Sequence, residues 1–151
     1  MAKPTGEKCA KIAVDSLAKG FTYSQHDCQD YMEWVVKQAG GSMSYPGSNG
    51  MARACHAAGK MWTLSEAKKL GKLVKGAFVF IHEEHGEPSK YVSDGYGNYS
   101  HVGMYVGENA LKDKDKNGKE RVCNVMHSSS TMGRVAGSTL ANGFTHVGWM
   151  P

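Results

Sequence analysis

The sequence predicts an α+β fold in which N-terminal helices pack on an antiparallel β-sheet. Two observations support this: apolar residues recur at helical spacing in the first 40 residues, whereas short β-rich runs follow residue 76. Helices that precede a series of strands are typical of the α+β class. A chain of 151 residues with 40% hydrophobic content has the size of one domain, which we place at residues 1–151.

The helices are predicted from their apolar stripes and their end signals. A first helix over residues 7–19 is followed by Gly20, and a second helix begins at Cys28 with Asp27 as its N-cap. The second helix has apolar residues at the i, i+3, i+4, i+7 positions, namely Cys28, Tyr31, Met32, Val35, Val36 and Ala39. Residues 42–59 are rich in Gly and Ser, so we expect a surface segment with a short helix capped by Asn49.

The strands are predicted from apolar runs and alternation, over residues 77–81, 101–106, 121–126 and 145–149. A long polar loop is expected over residues 82–100. The charged segment 108–119, with Asn117-Gly118 at its tip, is expected to connect the second strand to the third in a hairpin. The turn also resembles the first half of an EF-hand loop, but Asn124 stands where the loop needs Glu, so we interpret it as a hairpin turn.

Charge, hydropathy and cysteines exclude several classes of protein. The net charge of +4 is spread along the chain, and the lysines at the hairpin alternate with acids, which indicates a solvated surface and no nucleic-acid partner. No apolar run approaches the roughly 18 residues of a membrane span, and residues 1–7 are not followed by a signal-peptide core. None of the four cysteines forms a C-x-x-C pair, so we expect free thiols, three of them buried.

Cys28 is the candidate nucleophile. A thiol in the first turn of a helix lies among unpaired backbone N–H groups and at the positive end of the helix dipole. Together with a nearby His, this position can lower the pKa of a thiol from about 8.5 to roughly 3.5–7.5. We therefore predict that Cys28 is largely ionised near neutral pH, although a helical Cys taken alone is more often a core residue.

His101 is the candidate general base, because it begins a strand far from Cys28 in sequence. Gly103 leaves room beside it. Two residues can orient its ring, Asn124 and His127, and period-two alternation over residues 121–127 places them on opposite faces. We predict that His127 is the orienting residue and that it fixes the tautomer of His101.

These segments resemble the NlpC-type, papain-like cell-wall cysteine peptidases, including phage and prophage members. The resemblance rests on Asp27-Cys28 at a helix start, on the strand 76–80, on H-V-G-M-Y-V-G at 101–107 and on V-M-H at 125–127. It implies a papain-like fold, a Cys28–His101–His127 mechanism without cofactor or metal, and an oxyanion site formed by the Cys28 N–H with Tyr23 nearby. Gln29 and Asp30 differ from the small residues usual there, and Asp30 would raise the pKa of the thiol unless it points away.

The resemblance implies hydrolysis of peptide bonds in peptidoglycan stem peptides, between a D-glutamyl residue and a diamino acid. We expect a monomer without a membrane partner that is cytoplasmic until released or acts at the bacterial wall. Two alternatives remain: a related amidase, acyltransferase or deamidase, and a catalytically idle wall-binding or phage structural module.

Other motifs are interpreted as structural. His82 and His85 are three residues apart rather than the four of a zinc-protease helix, and no G-x-S-x-G turn surrounds the hydroxyl run 128–131. His26 is expected to be exposed.

Overall fold

The computed structural model describes residues 5–150 and confirms the α+β class, with helices packed against an antiparallel sheet. The α-helices are α1 Gly6–Ser16, α2 Cys28–Gln38, α3 Gly47–Ala57 and α4 Leu64–Leu70. The strands are β1 Met61–Thr63, β2 Phe78–Glu83, β3 Asn98–Tyr105, β4 Leu111–Lys114, β5 Glu120–Cys123, β6 Val125–Ser129, β7 Arg134–Ser138 and β8 His146–Gly148. Two 3₁₀ helices cover Leu17–Lys19 and Ser89–Asp94.

The first two helices form as predicted. Helix α1 continues as the 3₁₀ turn Leu17–Lys19, and Gly20 ends it with a φ of 66°, a left-handed conformation that glycine adopts without strain. The Asp27 side chain caps α2 by accepting a hydrogen bond from the Asp30 N–H at 2.9 Å. The predicted apolar stripe of α2 is buried, so its N-terminus is held firmly against the sheet.

The short helix predicted within residues 42–59 is present, but the prediction that it belongs to a surface segment is wrong. Helix α3 begins at Gly47, packs on β3 and buries Met51 and Cys55 completely. Asn49 lies inside this helix rather than capping it, and its side-chain oxygen accepts the Tyr99 N–H at 2.8 Å. The small residues Gly50 and Ala52 of α3 are buried beside Met51, so small residues accompany packing here rather than exposure.

The main sheet has six strands in the order β1-β8-β2-β3-β6-β7, and its strand pairs are antiparallel. The predicted strand 121–126 is divided at Asn124. Its first part, β5, pairs with β4 in a separate two-stranded ribbon, whereas β6 pairs with β3 through Met104–Met126 and Tyr105–Val125. The predicted hairpin of 101–106 with 121–126 is therefore only half correct, because the closer partner β4 pairs with β5 across the short turn 115–119.

The core lies on both faces of the main sheet. One face carries Val102, Met104 and Met126 and packs against α1, α2 and α3; the other carries Val125 and packs against the C-terminal segment around Phe144. All four cysteines are free and buried, one more than predicted. Within residues 5–150, every helix is too short or too polar to cross a membrane.

Candidate active site

The site lies where β3 and β6 separate. Their ladder is confined to Met104–Met126 and Tyr105–Val125. The Tyr105 N–H points toward β2 and the Val106 N–H toward the β6 side, so by alternation the Val102 N–H also points toward β6. Instead of continuing the ladder, this N–H lies close enough to the sulfur of Cys28 to oppose the rise in the thiol pKa that burial causes, and the helix that carries Cys28 contacts both strands. The gap between two strands therefore receives the N-terminus of α2 and its thiol.

Cys28 has the position predicted for it but not the predicted ionisation. Burial is the largest influence and raises the pKa of its thiol, while the backbone N–H groups of Val102, Gln29 and Cys28 itself oppose that rise. The net direction is upward. The prediction of a largely ionised thiol is wrong for the free protein, because the loss of solvent outweighs the helix N-terminus.

Asp30 points away from the thiol. Its carboxylate pairs with His26, whose Nδ1 lies 2.5 Å from Asp30 Oδ2. The acid that contributes to raising the pKa of the Cys28 thiol is the N-cap Asp27. Gln29 is also directed elsewhere, since its side-chain amide donates to Glu33. The two residues that differ from the NlpC-type pattern thus leave the sulfur unobstructed.

His101 and His127 are joined ring to ring, with His101 Nε2 and His127 Nδ1 2.7 Å apart. Burial lowers the pKa of His101 to about 4. The pKa of His127 is lowered to about 3, first by burial and then by the neighbouring His101 and Arg121. Both rings are therefore neutral near pH 7, and His101 Nδ1 has no hydrogen-bond partner among residues 5–150.

Gly103 makes this contact possible. It follows His101 by two residues on β3 and directly precedes Met104, whose pair with Met126 is the last of the β3–β6 ladder before His127. A Cβ placed on Gly103 would lie 3.1 Å from the Cβ of His127 and 3.1 Å from the Met126 carbonyl oxygen. The glycine thus leaves space for the His127 side chain diagonally across from His101.

Asn124, the alternative to His127, is engaged elsewhere. Its amide donates to Glu108 at 3.0 Å, and its side-chain oxygen accepts the Leu140 N–H at 3.0 Å. Of the two candidates considered from the sequence, the structure brings His127 to His101.

Tyr23, Cys28, His101 and His127 line one cavity of about 480 Å³. Tyr23 is close enough to Cys28 for the thiolate to raise the pKa of the tyrosine, although burial is the larger cause. Three features of this cavity are not predicted by the sequence: the tip of the β4–β5 ribbon, the loop 129–131, and Arg121. A basic residue in a predicted strand next to the site was the available signal for Arg121.

The motifs interpreted as structural occupy ordinary positions. His82 Nε2 lies 2.7 Å from the Tyr96 carbonyl oxygen, and the segment 113–118 forms a hairpin without flanking helices. Within residues 5–150, no three His, Cys, Asp or Glu side chains are grouped as metal ligands. The hydroxyl of Ser128 donates to the His26 carbonyl. His26 is partly buried and contacts Phe21 and Trp34, so it is less exposed than predicted.

Comparisons with protein-family models, with curated proteins and with solved structures found no match to this chain.

Proposed function

We propose that this chain is a cysteine endopeptidase of papain-like, NlpC-type architecture that hydrolyses stem peptides of peptidoglycan. One observation carries the proposal: the 2.7 Å contact between His101 and His127 in the same cavity as Cys28. A nucleophile, a base and a residue that orients the base are the parts that thiol hydrolysis requires.

In the proposed reaction, His101 Nδ1 accepts the proton of the Cys28 thiol as the sulfur attacks the scissile carbonyl carbon. A neutral thiol beside a neutral imidazole suits this order, since the proton moves only when substrate is present. The His101 imidazolium then gives its proton to the leaving amine, which departs and leaves a thioester on Cys28. Water, deprotonated by His101, hydrolyses the thioester and restores the thiol.

His127 is a positioning residue in this scheme. When His101 becomes an imidazolium, its Nε2–H needs an acceptor, and a neutral His127 provides one through Nδ1. The neighbouring Arg121 and Arg134 help to keep His127 neutral by lowering its pKa. Two cations near the pair therefore favour the acceptor role of His127 over protonation.

The oxyanion would be stabilised by the backbone N–H of Cys28. This N–H belongs to the first turn of α2 and has no intrahelical acceptor, because the first backbone hydrogen bond of the helix runs from Tyr31 N to Asp27 O at 2.9 Å. Tyr23, at the rim of the same cavity, is the side chain placed to assist it.

Incubation with purified peptidoglycan, followed by mass analysis of the soluble products, tests the proposal. We expect release of fragments cut between the D-glutamyl residue and the diamino acid, and no release by the Cys28→Ala variant. Fragments cut at another amide, or acyl transfer to an added amine, would instead assign the same residues to an amidase or acyltransferase. Binding to the wall without any products would indicate a catalytically idle wall-binding module.

A further inference from the structure

Arg121 differs from the other two arginines of the chain in having no carboxylate partner. Arg53 binds Asp94 through Nε at 2.8 Å and Nη2 at 3.0 Å, and Arg134 binds Asp113 through Nη1 at 2.9 Å and Nη2 at 3.1 Å. In residues 5–150, no Asp or Glu oxygen lies within 4.0 Å of the Arg121 guanidinium. Asp115 lines the same cavity, and the charge of Arg121 contributes to lowering its pKa after the backbone N–H groups of Lys119 and Asn117, but the two side chains form no ion pair. Arg121 therefore differs from the other two arginines in having no carboxylate bound to its guanidinium.

The contacts that Arg121 does make are weak. Nη2 donates to the Gly137 carbonyl at 3.5 Å and lies 3.4 Å from the Ser138 hydroxyl, both long for N–H···O hydrogen bonds. Its Nε is the one buried side-chain nitrogen or oxygen within residues 5–150 that has no hydrogen-bond partner. Buried polar groups of this kind are rare and call for an explanation, of which a missing ligand is one.

The position of Arg121 on the ribbon argues against a role as a surface charge. On β5, Glu120 and Val122 are exposed, whereas Arg121 and Cys123 face inward. The residue opposite Arg121 on β4 is Asp113. Both oxygens of the Asp113 carboxylate are already taken by Arg134, and one of them also accepts the Gly137 N–H at 2.9 Å. Asp113, the acid paired with Arg121 across the ribbon, is thus bound to Arg134 instead.

Arg121 lines the same cavity as Cys28 and His101. It is close enough to His127 for its charge to contribute to lowering the pKa of that ring. A planar guanidinium at the wall of a cavity, with only long hydrogen bonds and no bound carboxylate, is suited to bind a carboxylate through two hydrogen bonds.

We infer that Arg121 binds a free carboxylate of the substrate next to the scissile amide. This inference rests on the proposed function. A D-glutamyl residue has two carboxyl groups, of which one forms the scissile amide and the other remains free. Arg121 would make the protein selective for stem peptides in which that second group is a carboxylate and not a carboxamide.

The test uses two synthetic stem peptides that differ only in this group, carboxylate or carboxamide. Dissociation constants are measured by calorimetry with the Cys28→Ala protein, so that turnover does not interfere. We expect the carboxylate peptide to bind about 10- to 100-fold more tightly, the range for a charge-assisted hydrogen-bonded pair. Arg121→Gln in the same background should abolish this preference, and Arg121→Lys should reduce it.

Lys116 provides the matched control, since it is an exposed cation at the rim of the same cavity. Lys116→Gln should leave the preference for the carboxylate intact. Equal binding of the two peptides, or a preference that survives Arg121→Gln, would overturn the inference. If Arg121→Gln does not fold, the two peptides on the parent protein and Arg121→Lys still decide it.

Hydrolysis of peptidoglycan by the protein with intact Cys28 is measured separately. Hydrolysis together with equal binding of the two peptides would refute the carboxylate site and would still support the proposed endopeptidase activity. An Arg121-dependent preference without hydrolysis would refute the endopeptidase and retain the carboxylate site.

Discussion

Two groups of histidines, partly or fully buried, show how similar electrostatics can accompany different surroundings. The site pair consists of His101 and His127; the tyrosine-flanked group consists of His56, His82 and His146, around Tyr99. Burial lowers the pKa of His101 to about 4 and is also the main reason that the pKa of His146 is about 4. A shifted pKa therefore does not separate the two groups.

What separates them is the use of the ring nitrogens and the presence of a thiol. In the tyrosine-flanked group, His56 Nε2 lies 2.7 Å from the Tyr99 hydroxyl, and His146 Nδ1 lies 2.9 Å from the Thr145 hydroxyl. In the site pair the two rings bind each other and line a cavity with Cys28. A shared cavity with a thiol, rather than burial, marks the candidate catalytic histidines.

The largest expected effect is the loss of hydrolysis in Cys28→Ala, compared with Cys55→Ala, which changes the cysteine beside the other histidine group. Cys28→Ala should reduce hydrolysis by at least about 10⁴-fold, because no other group supplies the nucleophile. Cys55, fully buried and bonded to the Trp149 carbonyl at 3.2 Å, lies next to His56. Cys55→Ala should lower the free energy of unfolding by about 1–3 kcal/mol and leave turnover within about twofold. Activity of Cys28→Ala, measured on peptidoglycan with a circular dichroism check of folding, would refute the assignment.

His101→Ala and His146→Ala compare one histidine from each group. We expect His101→Ala to lower turnover by about 10²- to 10⁴-fold, the range for a positioned acid–base group. His146→Ala should change turnover by less than about threefold, since its ring binds a threonine hydroxyl and does not line the cavity that contains Cys28. Steady-state rates on a muropeptide decide between them. A reversed order would transfer the base to the tyrosine-flanked group.

His127→Ala tests whether the ring-to-ring contact matters. Loss of the acceptor should lower turnover by about 10²-fold without removing the base itself. His127→Asn should recover part of that loss, because an amide oxygen can accept the same hydrogen bond. Asn124→Ala, whose side chain binds Glu108 and Leu140, should have little effect on turnover. Equal losses in the two alanine variants would indicate a purely structural cause.

Two strand glycines extend the comparison to packing. A Cβ on Gly103 would lie 3.1 Å from the Cβ of His127, and one on Gly148 would lie 3.1 Å from the sulfur of Cys55. Overpacking of this kind should cost each alanine variant about 1–3 kcal/mol of unfolding free energy. Only Gly103→Ala should also lower turnover, by about tenfold, as it displaces His127. Chemical denaturation and kinetics together test this difference.

The smallest expected effect is a pH dependence of the free energy of unfolding. Both histidine groups should contribute to it. The unfolded pKa of a His is about 6.5, whereas the folded pKa values of His101 and His146 are about 4, so the unfolded chain binds more protons between these values. Each of these histidines stabilises the fold by being buried in its neutral form. That contribution is complete above about pH 6.5 and is lost as the pH falls toward 4. Urea denaturation at pH 7 and pH 5 should show a loss of the order of 1 kcal/mol per histidine, discounted for partial contact with solvent. His101→Gln and His146→Gln should each reduce the slope, and an unchanged slope would contradict the lowered pKa values.

Local sequence signals determined the parts of the site that lie within one element. The N-cap Asp27 and the apolar stripe of α2 placed Cys28 at a helix start, and both features are present. The position of His101 on a strand and the choice of His127 over Asn124 also agree with the structure. The regular strand assumed for that choice does not exist, since it is divided at Asn124, but β6 retains the local alternation that the choice needed.

Tertiary structure alone decided the features that depend on distant residues. The burial of α3, the β4–β5 ribbon that carries Arg121, and the gap that admits Cys28 between β3 and β6 all follow from which strands pair. The raised pKa of Cys28 belongs with them, because burial by residues far along the chain outweighs the backbone N–H groups beside the thiol. Caps and periodicity act over a turn or two of chain, whereas strand pairing and desolvation are set by the whole fold.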